Sequence, residues 1–477
     1  MLKKNLLFLR SNSFLIWIIF FLVSNLVYRG WGGTNELARY ATLRAMSQDQ
    51  TFSINPYAFW TIDWSKTPAG VYYSNKAPGP MLLSFPFFAV FDRLFADEKK
   101  DVVKEILLAN GTKKTGKVSP PTETTRTLMI FFFQLLPMAL LSGLIALKMK
   151  SMGISSGAVN FFLLALLFGN SAAVFANVFM GHSMTAVIVL ALFYSLWRKN
   201  YFQIGLFFGL ALLNEYTAAI LLPFILFYCF NHFRDDFKNF FNFLAGGIFP
   251  GVLWIWYHTS TMGNPFKTVL HYVNPAFTGG EALKKEDLIL GMFSLNINWK
   301  VIIELLVGSS RGVLFTQPWI YIVLLTFILK RNYSVPMIPD LKRLFLFVVS
   351  STLLMILLNS SFNGWHGGFS AGPRYLAFLF PMWAMLAAFI FDQIPQWQKF
   401  LWWFLLIPSL ILRALIAGST ELAHDGFPLW PFLWKYMSNH NLWGEIRFMT
   451  FLSLFLIIGF YVWNSKSNFI QWRRDEN

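Results

Sequence analysis

The chain has 477 residues, of which 56% are hydrophobic and 19% aromatic, while only 13% are charged. A soluble domain needs far more polar surface, and apolar runs of bilayer-spanning length recur along the chain, which excludes a soluble enzyme or binding module. The formal charge of +16 therefore reads as membrane topology and as attraction for anionic headgroups or phosphates; no basic block of the nucleic-acid type occurs.

The chain opens on "MLKKNLLFLRSNSFLIWIIFFLVSNLVYRG", a basic start and a long apolar core without a small-x-small cleavage site. This predicts a retained first helix, with Lys3, Lys4 and Arg10 holding the N-terminus in the cytoplasm. Apolar spans predict helices near 13–28, 127–147, 157–178, 183–197, 202–213, 217–230, 241–258, 313–329, 344–359, 375–392, 399–418 and 449–464. The expected fold is an all-α polytopic membrane protein, a single module over 1–477 with about twelve transmembrane helices. The connections "KMKSMG", "WRKN", "HFRDDFK" and "LKRNYSVPMIPDLKR" and the tail "QWRRDEN" are basic and read as cytoplasmic.

Were residues 79–91, "GPMLLSFPFFAVF", to cross as well, every later basic turn would fall on the wrong side. They are expected to lie in the outer interface, making 29–126 one large first extracytoplasmic loop with interfacial helices. Within it, 97–117 predicts a solvated helix and turn. Residues 259–312, 360–374 and 419–448 complete the outer face. The single cysteine, Cys229, gives neither a disulfide framework nor a cysteine zinc site.

The candidate chemistry lies on that outer face. In "GGTNELARYATLRAM", Asn35 suits a helix N-cap, placing Glu36 in the first turn with Arg39 and Tyr40 on the same face. Glu36–Arg39 could be an ordinary surface pair; as a functional group Glu36 would be a base held at the membrane surface. Asp63 and Lys76 follow in an aromatic and proline-rich stretch, where Lys76 is either a phosphate contact or a snorkelling anchor. His182 lies at the outer end of a helix, and Glu215 sits between two apolar half-helices, where a carboxylate is costly without a function or partner. The loop "NGWHGGFSAGPRYL" carries Trp365 and His366, several glycines that permit close backbone approach, and Arg374 at a helix start suited to an anion. "SSRGVLF" offers Arg311 in a similar setting. Two such arginines on one face point to a phosphate ligand, against the alternative of membrane-interface anchoring.

Taken together, "NELARY" from Asn35, "NKAPGP" from Asn75, "GHSM" from Gly181, "NEYTAAILLPF" and "GWHGGFSAGPRYL" resemble the GT-C superfamily of membrane glycosyltransferases. The similarity is to bacterial members of its protein O-mannosyltransferase and aminoarabinose-transferase branch, over most of residues 1–380. The resemblance implies transfer of a sugar from a polyprenyl-phosphate carrier to an acceptor on the extracytoplasmic side, in a bacterial inner membrane. It implies catalysis by Glu36 and Asp63, with Arg39, Tyr40, Lys76, His182, Glu215, Arg311, Trp365, His366 and Arg374 binding substrate. Asn35 replaces the first acid of the family's pair and His182 the acid of its second loop. That departure weakens the case for a divalent metal, which wants several oxygen ligands. Two other classes compete. A transporter or flippase would show paired repeats with broken helices, and none is seen. An inactive envelope scaffold is suggested by the lost acids.

Overall fold

The computed structural model describes residues 14–27, 33–95, 102–107, 113–118, 120–275, 296–329, 338–362, 364–368, 370, 372–419, 428–439, 446–456 and 459. Helices dominate them, as an apolar chain requires, because only an internally hydrogen-bonded backbone tolerates hydrocarbon. Six helices are long and apolar enough to cross a bilayer: Glu123–Ser151, Tyr216–Asp235, Phe237–Met262, Leu341–Ser360, Arg374–Phe391 and Gln396–Ile416. The pair Ser156–Leu167 and Ser171–Asn177, bent by 54°, makes a seventh if counted as one span.

The expected twelve crossings are therefore not reproduced among the described residues. Phe14–Leu26, Tyr201–Asn214, Trp319–Leu329 and Ile446–Leu456 are apolar but short. The 14 residues of Tyr201–Asn214 rise about 21 Å, less than the roughly 30 Å of hydrocarbon. The basic N-terminal cluster and most of the last predicted segment beyond residue 456 lie outside the described residues.

A second difference concerns 97–117, expected as a solvated helix and turn, of which 97–101 and 108–112 lie outside the described residues. There β3 (Val102–Leu107) pairs antiparallel with β4 (Lys113–Val118), Leu107 opposite Lys113. The β-branched Val102, Val103 and Ile106, followed by Asn110-Gly111, favour a hairpin over the helix that charge density suggested. Gly79–Leu94 is helical, with Pro80 in its first turn and Pro86 inside it, and falls short of the criteria for a span. It packs on Gly33–Arg44, on Glu123–Ile130 and on Tyr201–Asn214.

The centre of the molecule is formed by Ser156–Leu167, Gly181–Arg198 and Phe380–Phe391, which are apolar and buried around almost their whole circumference. Peripheral helices instead expose Phe227, Phe230, Ile248, Phe249 and Phe400. So much exposed apolar surface suits lipid and not water. Tyr201–Asn214 lies very close to Phe237–Met262. A β-carbon on Gly205 would sit 1.8 Å from the Phe243 carbonyl oxygen, and one on Gly246 would sit 2.0 Å from that of Phe202. Small residues permit such backbone contact in membranes. Gly205→Ala is expected to force the two helices apart and destabilise the protein by about 1–3 kcal/mol, read as a lower detergent-solubilised melting temperature. An unchanged melting temperature would show that this contact is not tight.

Candidate active site

Several segments meet at one cavity. Its lining includes Asn35 and Arg39, Asn75 to Ala77, His182, Glu215 to Thr217, Asn359 and Phe362, and Arg374 with Tyr375. The sequence arranges this meeting through small residues. A β-carbon on Gly79 would lie 2.7 Å from Asn214 Nδ2, so the Lys76 stretch is pressed against the turn that carries Glu215. A β-carbon on Gly181 would lie 3.1 Å from Arg39 Nη2 and 3.4 Å from Glu215 Oε2, so both charges flank the start of the Gly181–Arg198 helix.

A chain of contacts runs through the cavity wall. Arg374 Nε donates to His182 Nε2 at 2.8 Å, and its Nη1 donates to the Gly367 carbonyl at 2.7 Å. On the other side of the imidazole, His182 Nδ1 lies 3.2 Å from Glu215 Oε2. Because Nε2 accepts from a guanidinium, its lone pair is in use, and the neutral ring must carry its proton on Nδ1, on the side of Glu215 but without the alignment of a hydrogen bond. Glu215 keeps 19% of its side chain exposed, and it is the carboxylate among the lining residues. Arg39 is 3% exposed; its Nη1 donates to the Asn35 carbonyl at 3.0 Å and to Asn35 Oδ1. Burial lowers the Arg39 guanidinium to about 10; Glu215 opposes this shift and Arg374 adds to it.

Lys76 is held from behind. β1 (Trp64–Lys66) pairs with β2 (Tyr72–Ser74), Trp64 opposite Ser74, and this register sets Asp63 beside Asn75 and Lys76. Lys76 Nζ donates to Asp63 Oδ1 at 2.6 Å, and Thr34 Oγ1 donates to Oδ2 at 2.9 Å. Burial alone would raise the Asp63 carboxyl, but the Lys76 ammonium and these hydrogen bonds outweigh it and hold it below the usual range. Burial lowers the Lys76 ammonium; Asp63 offsets part of that, while Arg374 and Arg39 add to it.

Other residues singled out from the sequence lie elsewhere. Glu36 is fully buried outside the cavity: Arg126 Nε and Nη2 donate to its two oxygens at 2.8 and 3.3 Å, and the Phe179 amide donates at 3.2 Å. The helix it belongs to begins at Gly33, so Asn35 lies in its first turn and not at its N-cap. Tyr40 is a core residue stacked on Phe179 at 5.2 Å. Arg311 is also fully buried, and donates to the carbonyls of His366, Gly368 and Ser370 at 3.0, 2.8 and 2.7 Å. It fastens the glycine-rich loop in place instead of facing the cavity. Gly367 and Gly368 adopt φ of 73° and 65°, conformations that turn their carbonyls toward Arg374 and Arg311. His366 is part of the same turn, its Nδ1 accepting from the Gly368 amide at 3.0 Å, and Trp365 accepts from Asn359 through its carbonyl. Neither lines the cavity.

Asn75, Thr217, Asn359, Phe362 and Tyr375 line the cavity without having been singled out. For Tyr375 the signal was adjacency to Arg374; for the others only the fold brings them in. Three oxygens of this group, Asn75 Oδ1, Thr217 Oγ1 and Asn359 Oδ1, are buried without a hydrogen-bond partner, as is Arg39 Nε. A divalent metal does not fit this wall: Arg374 uses the second nitrogen of His182, which leaves Glu215 as the anionic donor.

No family model matches the chain, and no curated protein matches it. Among solved structures it is similar to the oligosaccharyltransferase of Archaeoglobus fulgidus in its apo form, at a TM-score of 0.41 and 11% identity. The match covers 90% of this chain and 56% of the other, so the chain spans about half the length of that protein.

Proposed function

We propose that the chain is an integral membrane glycosyltransferase that moves a sugar from a polyprenyl-phosphate carrier to a hydroxyl acceptor. The charge pattern of the cavity carries this reading. Arg39, Lys76 and Arg374 line it, Glu215 lines it, and Asp63 lies directly behind Lys76. With His182 neutral, these three cations exceed the two carboxylates by one positive charge, the complement of a sugar-linked phosphodiester. The unpartnered oxygens and Arg39 Nε supply the mixed acceptors and donor that sugar hydroxyls require. Tyr375 and Phe362 add aromatic faces.

The reaction assigns each group a task. The acceptor oxygen attacks the anomeric carbon, the bond from that carbon to the phosphate oxygen breaks, and its electron pair leaves with the phosphate. Lys76 and Arg374 stabilise the charge that grows on that oxygen. Glu215 takes the proton of the acceptor hydroxyl, a role that accessibility moves to it from Glu36. Asp63 serves Lys76 and is not the base, because its carboxylate is already engaged and its proton affinity is low. Arg311 with the turn at Trp365 and His366 positions Arg374, and Tyr40 packs the helix that carries Arg39. The cavity lies at the His182 end of Gly181–Arg198, opposite the basic turn of Arg198 and Lys199. Basic turns favour the cytoplasmic side, which supports an extracytoplasmic position for the cavity in this reading.

Purified protein in vesicles, given labelled polyprenyl-phosphate sugars and an envelope extract as acceptor, is expected to transfer label. Folded protein that transfers none of a panel of hexoses and pentoses would refute the reading. A pH test is sharper. Asp63 supports the charge of Lys76, so Asp63→Asn lowers the Lys76 ammonium further. Below that value the lysine is charged; above it the charge is lost. The alkaline loss of polyprenyl-phosphate binding is therefore expected to begin at lower pH in Asp63→Asn than in the wild type. Superimposable pH profiles would remove Lys76 from the phosphate site.

A further inference from the structure

One buried cation away from this cavity has no ion-pair partner among the described residues. Arg413, on the Gln396–Ser419 helix, is 1% exposed. Its Nη2 donates to Asn25 Oδ1 at 2.7 Å, and its guanidinium lies 5.9 Å from the Phe451 ring centre. No carboxylate among the described residues forms an ion pair with it. Nε and Nη1 are buried without hydrogen-bond partners. An amide oxygen and a ring face leave the full charge uncompensated, which is costly inside a membrane protein.

Arg413 is one wall of a small cavity that Asn170, Ser171, Thr316 and Ser409 also line, with apolar neighbours. Ser409, one turn before Arg413 on the same helix face, also has a buried hydroxyl without a partner. Ser171 Oγ accepts from Gln317 Nε2 at 3.4 Å. Its own hydroxyl proton is able to rotate toward the cavity. Asn170 has both ends of its amide committed: it donates to the Ala165 and Leu166 carbonyls and accepts from the amides of Ala172 and Ala173. Thr316 donates to Gly312 O. The cavity thus presents a guanidinium and hydroxyl donors, and no carboxylate. The space open to the centre of a water-sized particle is about 10 Å³, room for one atom-sized ligand and too little for a phosphate or carboxylate. Exposure of 1% also keeps a lipid headgroup away from the guanidinium.

We propose that Arg413, Ser409 and Ser171 form a buried site for a monatomic anion, chloride in size and charge, which neutralises Arg413 and ties the Gln396–Ser419 helix to the Ser171 turn. The test uses the full-length protein in detergent, with sodium chloride, bromide or gluconate at equal ionic strength. A melting temperature about 2 °C or more higher in 150 mM chloride or bromide than in gluconate is expected. Ser409→Ala, which removes one donor and keeps the charge, is expected to raise the halide concentration for half-effect about tenfold. Arg413→Met abolishes the halide effect. Equal melting temperatures in all three salts would overturn the proposal and leave a water at most. A halide effect of unchanged midpoint in Ser409→Ala would place the ion elsewhere, which also overturns it, whether or not Arg413→Met folds.

Discussion

Replacing Arg374 with lysine is expected to lower sugar transfer by about two to three orders of magnitude while the protein still inserts in the membrane. The two side chains carry the same charge, so a simple electrostatic anchor would tolerate the change. Arg374 instead uses its planar fork: Nε is committed to His182, Nη1 to the Gly367 carbonyl, and the guanidinium lies 5.4 Å from the ring centre of Tyr375. Lysine has no second nitrogen to hold His182 while facing a phosphate. The substitution therefore removes a placed donor where charge develops, an effect of about 10²–10³ in turnover. It also frees the His182 tautomer, which the Arg374 hydrogen bond fixes with the proton on Nδ1. Initial rates and melting temperature on one preparation check this. Near-normal rates with Arg374→Lys would make the residue a membrane-interface anchor.

Glu215→Gln and Glu36→Gln are expected to fail in opposite ways. Glu215 lines the cavity and keeps part of its surface accessible; losing it removes a base and reduces turnover by about 10²–10⁴ with little change in stability. Glu36 is sealed against Arg126. Its neutralisation removes the buried counter-charge of Arg126 and leaves the largely exposed Glu123 carboxylate at 3.2 Å, which costs up to about 3–5 kcal/mol of stability. Turnover per folded molecule of Glu36→Gln should stay within a few-fold of the wild type. A stable but inactive Glu36→Gln, with an active Glu215→Gln, would return the base to Glu36.

The contrast between these two acids shows what was legible in the sequence. His182, Glu215 and Arg374 stand out because each lies in or at the edge of an apolar run, where an ionisable group is costly unless it does something, and Lys76 stands out at the proline-rich turn before one. All four line the cavity. Glu36 stands out for the same reason, but its partner Arg126 is 90 residues away, and no local pattern announces such a pair. Arg311 and Arg374 look alike in sequence, each within two residues of a glycine at a helix start. Only the path of the loop decides that one donates to three of its carbonyls while the other turns to His182. Helix positions were readable from hydropathy alone; crossings were less so, since Tyr201–Asn214 and Trp319–Leu329 are apolar yet short. In β3 and β4, charge density suggested a solvated helix, and the β-branched residues flanking Asn110-Gly111 were the stronger signal.

The most direct measurement of the central claim is binding of a polyprenyl phosphate to the purified full-length protein, followed by native mass spectrometry. The wild type is expected to hold one lipid phosphate through detergent exchange, with Arg374→Ala weakening it at least tenfold and Glu215→Gln leaving it bound. A wild type that releases the lipid phosphate as readily as Arg374→Ala would contradict the assignment of this cavity as a donor site.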